Sequence, residues 1–355
     1  MGDPLVVGTL WPKRFPAASF VESTGDVARP VEIRSAYYQE SPEARGLRRS
    51  RRPADELRGL LPELTDDVRS VLAEAEVLFT LDIPDGIGEL APRLRWIQAI
   101  GAGVFHFDLD QLAAADVTLT TAAGASAVAI AEFTLARMLQ ALKALRAYDE
   151  FQQQRVWATP EQWWNLADGR LLEELTLGVV GLGQIGQAVA QRAHALGMRV
   201  VANRRRPGRL GHPDYVDELY GPDGLDRVLE QADVLVLAAA ETEGTMALIG
   251  RRELERMRPG ALFCNVARGT LVDETAMAEA LTSGRLGGAL LDVTAVEPLP
   301  PESPLWSTPN TYISPHSASS HDKMIEHTVE LFADNLRRYL AGETLRNLVD
   351  QELGY

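Results

Sequence analysis

The sequence predicts an α/β protein, with a doubly wound parallel sheet that holds a dinucleotide joined to a second α/β domain. Three observations carry this. Short apolar and β-branched runs alternate with helix-patterned segments, the arrangement of parallel strands covered on both faces. Two such runs flank Gly181-Leu182-Gly183-Gln184-Ile185-Gly186, the glycine spacing of a turn that approaches a pyrophosphate. The chain has 355 residues, 46% of them apolar and 24% charged, which is enough for two domains with their own cores.

In the first stretch, strands are expected at Leu5 to Gly8, Val31 to Ile33, Val77 to Leu81, Leu94 to Ile100 and Val117 to Thr120, with a helix over Asp66 to Ala75. The basic run Arg45, Arg48, Arg49, Arg51 and Arg52, bracketed by Pro42 and Pro53, reads as a solvated loop or helix face. The first domain ends near Thr121. Apolar residues then recur at Val128, Ala131, Leu135, Met138, Leu139, Leu142 and Leu145, which places them on one face of a single long helix that Ser126 would cap. The segment Tyr148 to Gly169 follows and contains Trp157, Trp163 and Trp164. Large aromatics in such an arm suggest an interface, so helix and arm are expected to bury surface in a homodimer; packing within one subunit is the alternative.

The run Leu175 to Asn203 reads as strand, glycine turn, helix and strand. Gly181 permits the tight turn, Gly183 lets the backbone come near a pyrophosphate, Gly186 lets the helix pack close, and free helix-start amides face the phosphates. The end of the second strand bears on the choice of coenzyme. An NAD site usually has Asp or Glu there for the ribose 2′-hydroxyl, whereas this chain has Asn203 followed by Arg204, Arg205 and Arg206. Cations without a carboxylate point to NADPH, with NAD the weaker option and a solvated basic loop the bland reading.

Further strands are expected at Val234 to Ala238, Ala261 to Val266, Gly288 to Val293 and near Tyr312 and Ile313. Helices are expected around Gly224 to Gln231, Arg251 to Met257 and Glu274 to Ser283, and a last one, Ser319 to Leu340, leans back onto the first domain. Three charged residues stand just past strand ends, where open α/β sheets bind ligands: Arg268, Glu297 and His316. Arginine can grip a carboxylate, histidine can pass a proton near neutral pH, and glutamate can favour the charged imidazole. These are parts for reducing a 2-oxo acid, although each residue alone also has a purely structural reading.

Composition excludes other classes. A net charge of -15 argues against a nucleic-acid partner, and no apolar run is long enough to span a bilayer. Met1-Gly2-Asp3-Pro4 lacks the pattern of a secretory signal, and the single cysteine, Cys264, fits a reducing cytoplasm as a buried strand residue. No metal site is expected.

Several motifs, in order from Trp96 onward, resemble the D-isomer-specific 2-hydroxyacid dehydrogenases. They are Gly101 to Asp108, the glycine loop, Asn265 to Glu274, Leu291-Asp292-Val293 through Glu297 to Pro300, and Ser314-Pro315-His316-Ser317-Ala318; the ending, Asn347 to Asp350 and Gly354-Tyr355, is also similar. The resemblance implies Arg268, Glu297 and His316 as the catalytic set. It implies that Ala102 and Gly103 offer amides to the substrate carboxylate, that Asp292 binds the nicotinamide carboxamide, and that Gln184, Ile185, Val266 and Ala267 line the coenzyme. It further implies a flavodoxin-like, discontinuous substrate domain of residues 1–121 and 318–355 around a dinucleotide-binding domain of 122–317. Phe105, where the family often has Asp, and Ala238 and Ala240, where it tends to have His and Pro, are departures. The arginine run resembles that of NADPH-preferring glyoxylate and hydroxypyruvate reductases. Two rivals remain: a nucleotide-sensing binding protein of the corepressor type, and a formate-type oxidation that needs no proton donor.

Overall fold

The computed structural model describes residues 3–350 apart from 12–14, 26, 28, 50–56, 58, 165, 167–168, 210 and 320. Arg51, Arg52, Gly354 and Tyr355 therefore lie outside the described residues. The chain divides into two compact units, residues 1–125 with 321–355, and residues 126–320. Those divisions fall a few residues beyond Thr121 and Ala318.

The first unit contains, in order, β1 (Leu5–Thr9), α1 (Ala17–Thr24), β2 (Val31–Ser35), α2 (Pro42–Arg49), α3 (Asp66–Glu74), β3 (Val77–Thr80), α4 (Ile87–Leu90), β4 (Trp96–Ala99), α5 (Leu109–Ala114) and β5 (Thr118–Thr120). Its strands are parallel in the order β2-β1-β3-β4-β5, the flavodoxin-like arrangement. Alternation sends successive side chains to opposite faces. Val77, Phe79 and Trp96 join Leu5, Val7 and Phe20 on one face, while Leu78 and Ile97 join Leu72 and Leu112 on the other. The last helix, His321–Ala341, belongs to this unit, and its Val329, Phe332 and Leu336 complete the first of those faces. Phe332 stacks on Phe20 and Phe79, with ring centroids 4.7 and 5.0 Å away. Asn347 ties the chain end to β5, its Nδ2 donating to Thr121 O and Ala123 O at 3.2 and 2.7 Å.

The second unit contains α6 (Ala127–Leu142), α7 (Leu145–Gln153), α8 (Pro160–Trp163), β6 (Thr176–Val180), α9 (Gln184–Ala195), β7 (Arg199–Asn203), β8 (Glu218–Tyr220), α10 (Leu225–Gln231), β9 (Val234–Leu237), α11 (Arg251–Arg256), β10 (Ala261–Asn265), α12 (Glu274–Thr282), β11 (Leu286–Leu291) and β12 (Thr311–Ile313); α13 (His321–Ala341) follows. Its parallel sheet runs β12-β11-β10-β9-β6-β7-β8, so the strand order reverses between β6 and β9. That reversal is the switch point at which doubly wound sheets bind nucleotides. The strand β9 is fully buried because it lies mid-sheet, with Val234 and Val236 facing one core and Leu235 and Leu237 the other.

Three expectations are corrected. The long helix beginning after Ser126 is two helices. It stops at Leu142, and Ala144 takes a left-handed backbone with φ 49° before α7 begins, so Leu145 continues the spacing by coincidence and is 45% exposed. Ser126 makes no side-chain capping bond.

The basic run is the third correction, since part of it is not solvated. Arg48 is 12% exposed and grips the buried Glu40 through Nε and Nη2, each 2.8 Å from a carboxylate oxygen, while Nη1 reaches Asp85 at 2.8 Å. Arg45 turns toward Asp82, which is 1% exposed; their Nε and Oδ1 stand 3.5 Å apart, and neither atom has a hydrogen-bond partner. Like charges close in sequence looked solvated because their carboxylate partners come from other segments.

Burial pushes the Asp82 carboxyl up from 3.8 to about 6, against the opposing pull of Arg45. Burial also pushes the His106 imidazole, 3.7 Å from Asp82, down from 6.5 to about 4. A raised carboxyl stabilises the fold at low pH and loses that contribution as pH rises through about 6. A depressed imidazole does the reverse, losing its contribution as pH falls through about 4. The two offset each other over the same window. Asp82→Asn is therefore expected to leave a thermal midpoint that climbs by ~5 °C from mildly acidic to neutral pH, where the parent is flatter. A scanning calorimetry series that gives parallel profiles for both proteins rejects this coupling.

Candidate active site

The glycine turn lies at the carboxyl end of β6. Gly181 has φ 94°, and a Cβ there would meet the Ala239 Cα at 2.5 Å. A Cβ on Gly186 would run into the Gly181 carbonyl oxygen, so the helix packs as closely as a hydrogen atom allows. Gly183 is different, because a Cβ there would meet nothing within 4 Å. Two of the glycines thus shape the turn, and the third leaves open space in front of it. The first intrahelical bond of α9 runs from Gln187 N to Gly183 O at 2.9 Å, so the amides of Gln184, Ile185 and Gly186 precede any intrahelical acceptor. An open cradle with free amides fits a pyrophosphate.

Strand β7 brings Asn203 beside this turn. Its carbonyl accepts from Gly181 N and Leu182 N at 3.2 and 3.1 Å, and its side-chain oxygen accepts from Gly181 N at 3.3 Å. Arg204 follows, half-buried, with an Nη1 that is shielded from solvent and has no hydrogen-bond partner. Arg205 and Arg206 are exposed. Val266 and Ala267, at the end of β10, are buried.

The charged residues meet at the same end of this sheet. Arg268 follows β10, in a turn held by Asn265, whose Nδ2 donates to Arg268 O at 2.9 Å and whose Oδ1 accepts from Ala267 N at 3.0 Å. Glu297 Oε2 lies 2.9 Å from His316 Nδ1, and its Oε1 accepts from Thr294 N at 3.1 Å. Burial works to raise the Glu297 carboxyl, but the hydrogen bond and charge of His316, the Thr294 amide and the Arg268 cation outweigh it and hold it below the usual carboxylate value. Arg268 therefore lies within electrostatic reach of the Glu297–His316 pair.

His316 has a left-handed backbone, φ 51°, fixed from both sides by Asp292. Its N donates to Asp292 O at 2.8 Å, while the Asp292 carboxylate accepts from Ser314 Oγ, Ser317 N and Ala318 N at 2.7, 2.9 and 3.1 Å. This buried carboxylate is thus already an anchor for the histidine loop, a task its place in a sequence motif did not reveal. Cys264 is buried in β10, and burial pushes its thiol up to about 12, which leaves it inert. Among the described residues, no group of three His, Cys, Asp or Glu is placed to hold a metal ion, and no helix is long and apolar enough to cross a membrane.

A family model described as D-isomer specific 2-hydroxyacid dehydrogenase, NAD binding domain, matches residues 135–318, just over half of the chain. The chain is 32% identical over 281 residues to a glyoxylate reductase of Korarchaeum cryptofilum, covering 78% of this chain and 82% of that one. The chain belongs to the D-isomer-specific 2-hydroxyacid dehydrogenases. It is also 34% identical over 268 residues to glyoxylate/hydroxypyruvate reductase B of Pectobacterium carotovorum, covering 74% and 81% of the two chains. A D-isomer specific 2-hydroxyacid dehydrogenase of Xanthobacter autotrophicus Py2, solved in complex with NADPH and MES, superposes with a TM-score of 0.74 at 26% identity, covering 99% and 100%.

As a member of this dehydrogenase family the protein is an oxidoreductase with an NAD(P)-binding domain. These relatives are all reductases or dehydrogenases, and they lend the corepressor alternative no support. The residues expected to line the coenzyme and the charged trio all lie in the second unit. Ala102 and Gly103 lie in the first, on the loop after β4, where Ala102 is exposed and Gly103 half-buried. Sequence reasoning missed the anchoring parts: Asn265 under Arg268, Thr294 on Glu297, and the Arg48–Glu40 and Arg45–Asp82 pairs of the first unit. Of these, only Asn265 carried a signal, as an amide at a strand end able to bond its own backbone two residues on.

Proposed function

We propose that this dehydrogenase reduces a small 2-oxo acid to the D-2-hydroxy acid, with NADPH preferred over NADH. The observation that carries the reading is the His316–Glu297 hydrogen bond, within reach of Arg268 and at the same sheet end as the glycine cradle. When bound, the nicotinamide supplies the hydride. Arg268 holds the substrate carboxylate and fixes the carbonyl for attack. Nδ1 of His316 is engaged by Glu297, which leaves Nε2 to carry the proton that the new alkoxide takes up. Glu297, its carboxyl held below the usual carboxylate value, is the anion that orients this imidazole.

The coenzyme preference is supported by the missing carboxylate at Asn203, by the cations that follow, and by the shielded, unpartnered Nη1 of Arg204, which an anionic 2′-phosphate would satisfy. Gln184, Ile185, Val266 and Ala267 would line the coenzyme and Arg205 would add charge. Loss of NADPH absorbance with glyoxylate, hydroxypyruvate and bulkier 2-oxo acids tests the reaction. In the same assay kcat/KM is expected to be ~10-fold or more higher with NADPH than with NADH, since charge-assisted pairing at the 2′-phosphate is absent with NADH. Equal or reversed preference removes the assignment.

A homodimer is part of the proposal. Trp157, Trp164 and Trp163 are 98, 71 and 37% exposed, and α7 buries none of its residues, so packing within one subunit leaves this arm uncovered. Light scattering is expected to give twice the chain mass, and a monomer mass at micromolar concentration ends the idea. The buried free thiol of Cys264 supports a reducing, cytoplasmic setting.

A further inference from the structure

We infer that Glu274 is a positioning residue for Glu297, holding the segment that carries it by accepting the backbone amide of Ala295. The inference rests on the reading of Glu297 as partner of the proton donor. Glu274 is the first residue of α12, just after Asp273, whose side chain caps that helix by accepting from Ala276 N at 3.0 Å. Its Oε1 lies 2.7 Å from Ala295 N, 21 residues further along the chain.

The segment needs such an attachment. From Ala295 to Pro298 the chain is exposed, with Val296 59% exposed, so apolar packing contributes little to its order. Apart from the Glu297–His316 hydrogen bond that the segment has to deliver, its other bonds close it on itself: Thr294 N donates to Glu297 Oε1, and Thr294 Oγ1 donates to Val296 O at 2.8 Å. Neither of them fixes the segment to a neighbouring element. Glu274 does, and a bond from an amide to a carboxylate is about twice as strong as a neutral one. The backbone at Thr294 and Ala295 also presses on Gly269, so a single contact region joins the Arg268 turn, the Glu297 segment and the start of α12. Burial raises the Glu274 carboxyl against the Ala295 amide, and Glu297 raises it further, so the two carboxylates sense each other. The other charged groups acting on Glu297 are His316 and Arg268. This glutamate belongs to the Asn265-to-Glu274 motif.

Two variants of the full-length protein test this. Glu274→Ala removes the acceptor, whereas Glu274→Gln keeps a carbonyl oxygen for the Ala295 amide. Without substrate or coenzyme, amide hydrogen exchange at Ala295 is expected to rise ~10-fold or more in the Ala variant and to stay within about threefold of the parent in the Gln variant. With glyoxylate and NADPH, kcat is expected to fall ~10-fold in the Ala variant at an unchanged KM for NADPH, and to recover in the Gln variant. Parent-like exchange at Ala295 in the Ala variant overturns the inference. So does parent-like kcat, or a Gln variant as impaired as the Ala variant. If the parent reduces no 2-oxo acid the reaction assignment fails, while the exchange measurement still decides whether Glu274 holds the segment.

Discussion

Replacing His316 with alanine is expected to lower turnover by ~100-fold or more while leaving NADPH affinity within about twofold, because a general acid contributes that much and the glycine cradle is untouched. The imidazole is built for one orientation. Its Nδ1 is spoken for by Glu297, its backbone is fixed by Asp292, and the residues on either side of it are tied to the Asp292 carboxylate. Of the other groups described above at this sheet end, Arg268 stays charged and Cys264 is buried with its thiol pushed up to about 12, so neither offers a proton at neutral pH. Because Glu297 is held below the usual carboxylate value, its share of the arrangement is present above that value and is lost as pH falls through its lowered one. Steady-state kinetics with glyoxylate and NADPH check the variant. Turnover close to the parent's would reject His316 as the donor.

The second large effect is expected from one added methyl group. In Gly269→Ala the new Cβ would overlap the carbonyl carbon of Thr294 and the amide nitrogen of Ala295, which are backbone atoms and cannot rotate away. Overpacking of this kind costs about 1–3 kcal/mol, and here relief comes only by moving the segment that carries Glu297. A lower thermal midpoint and a fall of about 100-fold in kcat are expected together, since a displacement of ~1 Å at a reacting group has that effect. Gly183→Ala makes the contrast. Its Cβ meets nothing within 4 Å, so the fold should be indifferent, while NADPH affinity drops because the methyl occupies the open face of the turn. Calorimetry and coenzyme titration separate the two cases. A Gly269→Ala protein with the parent's midpoint and turnover would show that the segment is not pinned there.

The fold was legible where the signal is local. Short apolar runs marked β3, β4 and β9 because a strand buried on both faces is largely apolar, as Val234 to Leu237 are throughout. β8, three half-buried residues at the sheet edge, carried no such signal, and α2 stayed open between a loop and a helix face because its arginines looked like a solvated run. The helix after Ser126 was read too long because apolar spacing persists across Ala144, while a single left-handed residue that ends a helix leaves no mark on periodicity.

The charged trio was legible for a different reason, since residues just past parallel strand ends gather at one edge of a doubly wound sheet whatever the loops do. Their supports were not legible. Glu274 meets Ala295 from 21 positions away. The same holds within the first unit, where Glu40 N meets the Asp82 carboxylate from 42.

By itself the sequence determined which residues turn, which alternate and which carry chemistry, because glycine geometry, strand pleat and side-chain type act over a few bonds. Only the tertiary structure decided which carboxylate each cation or amide meets and which side chains leave the solvent, as Arg48 does, because those outcomes depend on the chain closing over long loops. The burial that follows sets both the energy and the proton affinity of every group brought together there.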